Sequence, residues 1–424
     1  MQRDRQARQA RWAVAAMFLA NGFVMGAWAP QIPLLMPRHG VTESVLGLLI
    51  LVLGLGAVSA MLFAGRLISH YGGRRILSLF SLALIPVLPM VVFSPNLWVL
   101  ALFMAFFGAM AGSMDVAMNA QAVEIERRLD RAIMSSSHGF WSLGGFIGGS
   151  AGSWVIAQWG SEVQSIATAV VVAGVVLAAM PFLLPDAPGP AVAEASAAPK
   201  TRLFPKDLHV WLLGFLALFA MVPEGAVLDW AAIYLQKELG ADVFVSGLGF
   251  AFFAGAMAVM RFAGDSVRNR FGAVRTLRLS GFLGAAGLMG GALAPQDWVA
   301  IVSFTIAGLG VANMVPIATL PMPPLDDFRN RGGRFGAHNL HENRPGPSFQ
   351  SDDLIFGTFF NGGMRVFNVE DPLQPKEVAY FIPPKPDNSP VATAQINDVY
   401  VDENRIVYCV DRHAGGLYCL SLDI

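Results

Sequence analysis

Ten apolar runs, each long enough to cross a lipid bilayer, fill the first 320 residues and leave few folds open to this chain. A hydrocarbon core about 30 Å thick needs roughly 20 residues of helix, because every backbone polar group inside it must be satisfied within the element. The runs cover residues 12–36, 44–65, 76–94, 97–122, 138–158, 163–185, 208–235, 244–263, 276–294 and 297–318. The first is too long, and too poor in a small-residue cleavage site, to be a secretory signal. Overall, 54% of residues are hydrophobic and 14% charged, with a mean hydropathy of +0.53. Those values lie outside the usual range of soluble domains. Charge density changes after residue 320. Residues 1–320 hold 20 Lys/Arg and 16 Asp/Glu, and residues 321–424 hold 9 and 14, so net charge passes from +4 to −5. Neither part is basic enough to suggest nucleic acid.

Positive charge sets the expected orientation. Arg3, Arg5, Arg8 and Arg11 precede the first run, and Arg74 and Arg75 follow the second. Arg127, Arg128 and Arg131 follow the fourth, and Arg268, Arg270, Arg275 and Arg278 follow the eighth. The alternate loops carry only Arg38 and Lys237. The N-terminus and each basic loop are therefore expected on the cytoplasmic side of an inner (plasma) membrane, and with an even number of spans the tail is too. An Ala/Pro-rich stretch, 186–207, reads as a cytoplasmic linker between two helical halves, 1–185 and 208–318.

The halves repeat. Tyr71-Gly72-Gly73-Arg74-Arg75-Ile76-Leu77 and Phe271-Gly272-Ala273-Val274-Arg275-Thr276-Leu277 lie 200 positions apart, each behind a long apolar run. Two similar halves, a central linker and a basic loop between the second and third helices of each half resemble the major facilitator superfamily. Its loop motif, Gly-x-Leu-x-Asp-Arg-x-Gly-Arg-Lys, is matched at Gly65, Leu67, Gly72 and Arg74, whereas Ser69 stands where the family has an acid that helps latch the halves. Asp265, seven residues before Gly272, is the candidate substitute, and Arg75 and Arg275 complete the basic loops. The stretches Asp115–Gln121, His138–Gly145 and Glu224–Trp230 are similar to the sugar-permease-like branch that includes fucose permeases. The resemblance implies a secondary transporter of a small polar solute, with a sugar as the candidate class, acting as a monomer by alternating access. Family members normally carry twelve spans, so two are missing from this count.

Buried charges are costly, about 2.5–3.5 kcal/mol on insertion scales, and those retained usually face a water-filled path. Glu224, about 16 residues into its run and so roughly 24 Å deep, is the foremost candidate for proton coupling. Desolvation disfavours its charged form, which would let it load and release a proton in alternating states. Asp115 and Asp229 are the other candidates. Asn21, Asn119, Gln121 and Asn313 are candidate hydrogen-bonding groups for solute, with Asn313 mirroring Asp115 in the second half. Trp28, Trp141 and Trp230 are candidate stacking surfaces. Bland readings compete: amides often stitch helices together, and Trp favours membrane interfaces. His138 reads as a solvated helix-start residue, and Gly144, Gly145, Gly148, Gly149 and Gly152 as a surface for close helix approach. No phosphate loop, metal cluster or nucleophile–base arrangement occurs, so neither an enzyme nor a cofactor is expected.

After Pro321-Met322-Pro323-Pro324 the pattern changes to a period of two. Strands are expected at 353–360, 363–369, 376–382, 395–402, 404–410 and 415–422. Gly363–Val369, Asp371–Val378 and Ile396–Tyr418 resemble blades of LVIVD-repeat β-propellers, and the resemblance covers nearly all of 325–424. Six strands make about one and a half blades, fewer than a closed propeller needs. Cys409 and Cys419 are expected as packed strand residues, and His338, His341 and Glu342 as solvated or blade-capping groups. The expected fold is thus a mainly α membrane protein with a truncated major facilitator bundle and a small all-β fragment, 319–424. Two other readings stay open: a membrane-anchored interaction protein, and a non-functional chimera joined near residues 317–320.

Overall fold

The computed structural model describes residues 2–129, 133–185, 208–271, 273–312, 323, 325–328, 331–341, 346–370 and 375–422. The linker 186–207, the join near 317–320, Gly272, Asn313 and Glu342 lie outside the described residues, as does the side chain of Asp265. The chain divides into two compact units, Met1–Val315 and Pro316–Ile424.

The first unit is helical. Its elements are α1 (Gln2–Trp28), α2 (Ile32–His39), α3 (Glu43–Tyr71), α4 (Gly73–Leu84), α5 (Val87–Val92), α6 (Leu97–Leu129), α7 (Met134–Ala179), α8 (Leu208–Lys237), α9 (Val243–Phe271), α10 (Ala273–Ala292) and α11 (Asp297–Val311). Six continuous helical stretches among the described residues are long and apolar enough to cross a membrane. Proline and glycine punctuate the longest paths. Pro30 and Pro33 sit at the short 3₁₀ turn between α1 and α2, and Pro86 separates α4 from α5. Gly160, at φ +84°, breaks α7 into two helical arms, a backbone conformation that costs other residues about 1–3 kcal/mol.

Inside a bilayer no hydrophobic force draws helices together, so close packing of small residues does that work. The first arm of α7 carries two glycine rows at i, i+4 spacing, one residue out of phase and so turned toward different neighbours. Gly144 and Gly148 face α1: a Cβ on either would lie 2.2 Å from a backbone oxygen, of Leu19 and Phe23 respectively. Gly145 and Gly149 face α9, where the methyls of Ala254 and Ala251 stand 3.2 and 3.0 Å from the same hypothetical atom. α7 therefore joins the N-terminal half to the C-terminal half along one helix. An exposed ion pair, Lys237 with Glu43, adds a second link between the halves. The outward stripe of α3, Leu48, Leu51, Leu55, Val58 and Leu62, is exposed at helical spacing, as a lipid-facing surface should be.

Unit two holds two antiparallel sheets. One has the order β1-β2-β3-β4 (Leu340–His341, Leu354–Thr358, Met364–Asn368, Lys376–Phe381), the other β5-β6-β7 (Ile396–Val401, Ile406–Asp411, Leu417–Ser421). Alternate residues of β6, Val407, Cys409 and Asp411, point inward, and a bulge between Ile396 and Asp398 resets the register of β5. Phe356, Met364, Val366, Ile396, Val399, Val401 and Val407 form the core. Two expectations are corrected. Cys419 is exposed, on the outer face of β7, and only Cys409 is buried; burial pushes the Cys409 thiol up to about 12. His341 is buried rather than solvated, its ring between the Phe349 carbonyl and the Val401 N–H, because β1 adds a strand absent from the sequence reading.

Asp411 closes the β6–β7 turn. Its carboxylate accepts from the backbone N–H groups of Gln395 (2.5 Å), His413 (2.8 Å), Ala414 (3.1 Å) and Gly415 (3.1 Å). Burial works against the charge, but these four donors outweigh it and hold the carboxyl below its usual range. A depressed carboxyl stabilises the fold above its unfolded-state value, near 3.9, and that contribution is lost as pH falls through the folded value. Asp411→Asn should therefore cost unit two about 1–3 kcal/mol at pH 7, and the difference from wild type should shrink in acid-unfolding curves followed below about pH 4. For unit one, Gly148→Ala should lower the melting temperature in detergent through an overpacking cost of about 1–3 kcal/mol. Gly174→Ala, on the same helix with nothing within 4 Å, should leave it unchanged or slightly raised.

Candidate functional site

One polar cluster lies where the two helical halves meet. α9 was expected to end at residue 263, yet it continues to Phe271, because Phe262, Ala263 and Gly264 extend the apolar pattern past a single arginine. Arg261 is thereby carried into the helix body, with its side chain only 6% exposed. Its NH2 group donates to Glu224 Oε2 on α8 at 3.4 Å. Its NH1 group donates to Ser142 Oγ at 2.5 Å and, more weakly, to the His138 carbonyl at 3.5 Å, both on α7. Ser135 Oγ donates to the Arg261 carbonyl at 2.8 Å. One guanidinium thus ties the C-terminal half to the N-terminal half.

Local sequence explains the placement. Pro223 cannot donate to the helical ladder, so α8 is weakened just before Glu224. Glu224 is 17% exposed. From the other side, Asp115 on α6 lies within electrostatic reach of both Glu224 and Arg261. Asn119, one turn along α6, accepts through Oδ1 from His138 Nε2 (3.1 Å) and donates through Nδ2 to the Asp115 carbonyl (2.9 Å). His138 is not a solvated helix-start residue. Its ring packs edge-on against Phe18 at 5.1 Å, because α7 begins four residues earlier, at Met134.

The other candidates separate into groups. Trp141 Nε1 donates to Asn21 Oδ1 at 2.8 Å, and Asn21 Nδ2 to the Ala111 carbonyl at 3.2 Å, so both stitch α1, α6 and α7 together. Gln121 is buried and donates to the Leu184 carbonyl, which ties α6 to the end of the N-terminal half. Trp28 is fully buried edge-on against Phe107 and presents no face to a solute. Asp229 and Trp230 lie further along α8 and make no described hydrogen bond to the Arg261 cluster. In the loop motif, Gly72 ends α3 at φ +93°, and Gly65 meets nothing within 4 Å. Arg74 donates to the Pro181 and Met180 carbonyls at the end of the N-terminal half (3.2 and 3.5 Å). Ser69 turns back to its own helix, onto the Arg66 carbonyl. Arg75 lines a cavity of about 610 Å³ with Arg74, Ser78, Leu79, Leu82 and Pro185, and Arg275 is exposed.

Arg261 and Ser142 were missed as site residues. The signal was present: an arginine ten residues before the end of its helix, with three apolar or small residues after it, cannot reach the membrane surface as a loop arginine would.

The helical unit that holds this cluster has counterparts among known proteins. The sequence profile of the Major Facilitator Superfamily matches residues 14–340. The chain belongs to that superfamily. An uncharacterized transporter, y4wD, of Sinorhizobium fredii is 33% identical over 307 residues, 72% of this chain and 80% of that protein. Membrane protein MosC of Rhizobium meliloti is 31% identical over 312 residues, 72% and 73% of the two chains. Among solved structures, a D-xylose–proton symporter shares the fold at a TM-score of 0.53 and 17% identity, over 72% of this chain and 80% of that one. A nucleoside transporter, NupG, in a mutant form, does so at 0.55 and 13% over the same shares. This superfamily member is accordingly a multi-pass membrane protein of a transporter family.

Removing one partner of a buried pair leaves the other charge uncompensated, typically at a cost of about 3–5 kcal/mol. Arg261→Met should therefore lower the melting temperature in detergent strongly, and Arg261→Met/Glu224→Met should recover most of the loss.

Proposed function

We propose that the chain is a secondary active transporter that moves a small polar solute across the inner membrane by alternating access, coupled to protons through Glu224. One observation carries this reading: the Arg261–Glu224 pair, buried in the helical unit and anchored through Ser142 and His138 to the opposite half. A charge network that spans the seam between two rocking bundles is where a proton can alter the balance between inward- and outward-open states. Neutralising Glu224 weakens the link to Arg261, and Asp115 offers that arginine an alternative partner on the N-terminal side. Asp229 is a secondary candidate for proton coupling. Asn119 is the best-placed candidate to contact solute, and Trp230 offers a partly exposed ring; Asn21 and Trp141 support them from behind. The D-xylose–proton symporter among the structural neighbours makes sugars the first solutes to test.

In the same reading, residues 319–424 are propeller blades, supported by two antiparallel sheets in meander order. They are joined to a shortened second bundle near 317–320. Sequencing of the transcript across codons 310–330 checks the join.

The transport reading is tested in proteoliposomes containing the full chain. A pH gradient, acid outside, should drive uptake of at least one labelled solute from a set of sugars and sugar acids such as D-xylose, D-glucose and D-gluconate. Glu224→Gln should abolish the gradient dependence while sparing exchange of solute at equal concentrations on both sides. Gradient-driven uptake by Glu224→Gln at the wild-type rate would remove Glu224 from coupling.

A further inference from the structure

We infer that Arg261 is the solute-reading group of this site and that the solute carries a carboxylate. The inference rests on the transport reading above and narrows its solute class.

The guanidinium carries five N–H donors in a fixed fork. One side of the fork is held: NH1 meets Ser142 Oγ at 2.5 Å and the His138 carbonyl at 3.5 Å, which fixes the plane of the group. The opposite edge, made of Nε and NH2, is under-used. NH2 reaches a single Glu224 oxygen at 3.4 Å, longer than the roughly 2.7–2.9 Å of a well-formed charge-assisted bond. Nε is buried and has no hydrogen-bond partner. Buried donors are seldom left this way. A residue whose only task was to pair with Glu224 would present both donors of that edge to both carboxylate oxygens.

Two parallel donors in a plane match a carboxylate better than they match an uncharged sugar hydroxyl. A carboxylate solute seated on Nε and NH2 would displace Glu224 from its one contact. Solute and Glu224 then compete for the same edge, so a proton on Glu224 and an anion on Arg261 favour each other. The proton goes to a Glu224 oxygen, the solute carboxylate takes the vacated donors, and no covalent bond changes. One proton and one monoanion cross together, with no net charge moved. Among the described residues, the charged or titratable groups in electrostatic reach of Glu224 or Arg261 are Asp115 on α6 and His138 on α7.

The experiment measures thermal stabilisation of the purified full chain by D-gluconate, D-glucuronate and L-lactate, against neutral D-glucose and glycerol. A ligand that binds only the folded state raises the melting temperature in proportion to its affinity. At least one carboxylate should stabilise the wild type at millimolar concentration and the neutral compounds should not. Arg261→Lys, which keeps the charge but loses the fork, should bind that carboxylate at least tenfold more weakly. Glu224→Gln, which removes the competitor, should bind it at least threefold more tightly at pH 7.5, and this arm stands even where Arg261→Lys fails to fold. Stabilisation by glucose alone, no response to any of the three carboxylates, or weaker carboxylate binding by Glu224→Gln would each overturn the inference. In those cases, proton-driven uptake of labelled glucose by the same preparation would leave the transport reading standing. Its absence as well would remove both.

Discussion

Everything in the helical unit depends on how closely α7 can approach its two neighbours. In lipid the helices gain nothing from hiding apolar surface, so contact must come from dispersion between backbones that nearly touch. The two glycine rows, Gly144 and Gly148 toward α1 and Gly145 and Gly149 toward α9, make that approach possible. The same helix carries Ser142 and the His138 carbonyl, within two turns of these rows, into the seam between the halves. Close packing thus brings a polar anchor within reach of Arg261, and the charge cluster is a consequence of the glycine interface.

That arrangement also balances a cost. A guanidinium and at least two carboxyl groups share a region with little access to water, where an isolated charge is strongly disfavoured. Arg261 is held by a hydroxyl and a carbonyl on one side and by a single oxygen of Glu224 on the other. In the transport reading proposed above, the pairing is sufficient to keep the charge buried and loose enough for the partner to change. A stronger, two-oxygen pair would lock the halves in one state, since a conformational equilibrium shifts only as far as its contacts differ between states.

Unit two follows different rules. Its strands bury one face at a period of two, and its tight turn is closed by a carboxylate saturated with backbone donors. The strand positions were legible because alternation is a local pattern. β1 was not, since a two-residue strand carries no periodicity and exists only through pairing with β2. Cys419 shows the same limit: its place on a strand was readable, but which face is covered depends on what packs there.

The sequence by itself determined the family, the helical character of the first unit and the presence of largely buried acids at 115 and 224. These follow from apolar run lengths, from the repeat at 200 residues and from the cost of charge in a bilayer, all of which are written along the chain. Only the tertiary structure decided which polar groups act together. It brought Arg261, Ser142 and His138 to Glu224, moved Trp28 into the packed interior, and assigned Asn21, Trp141 and Gln121 to stitching helices. The reason is geometric. A helix spreads its residues around a full turn every 3.6 positions, and which side faces a neighbour depends on contacts made with helices more than a hundred residues away.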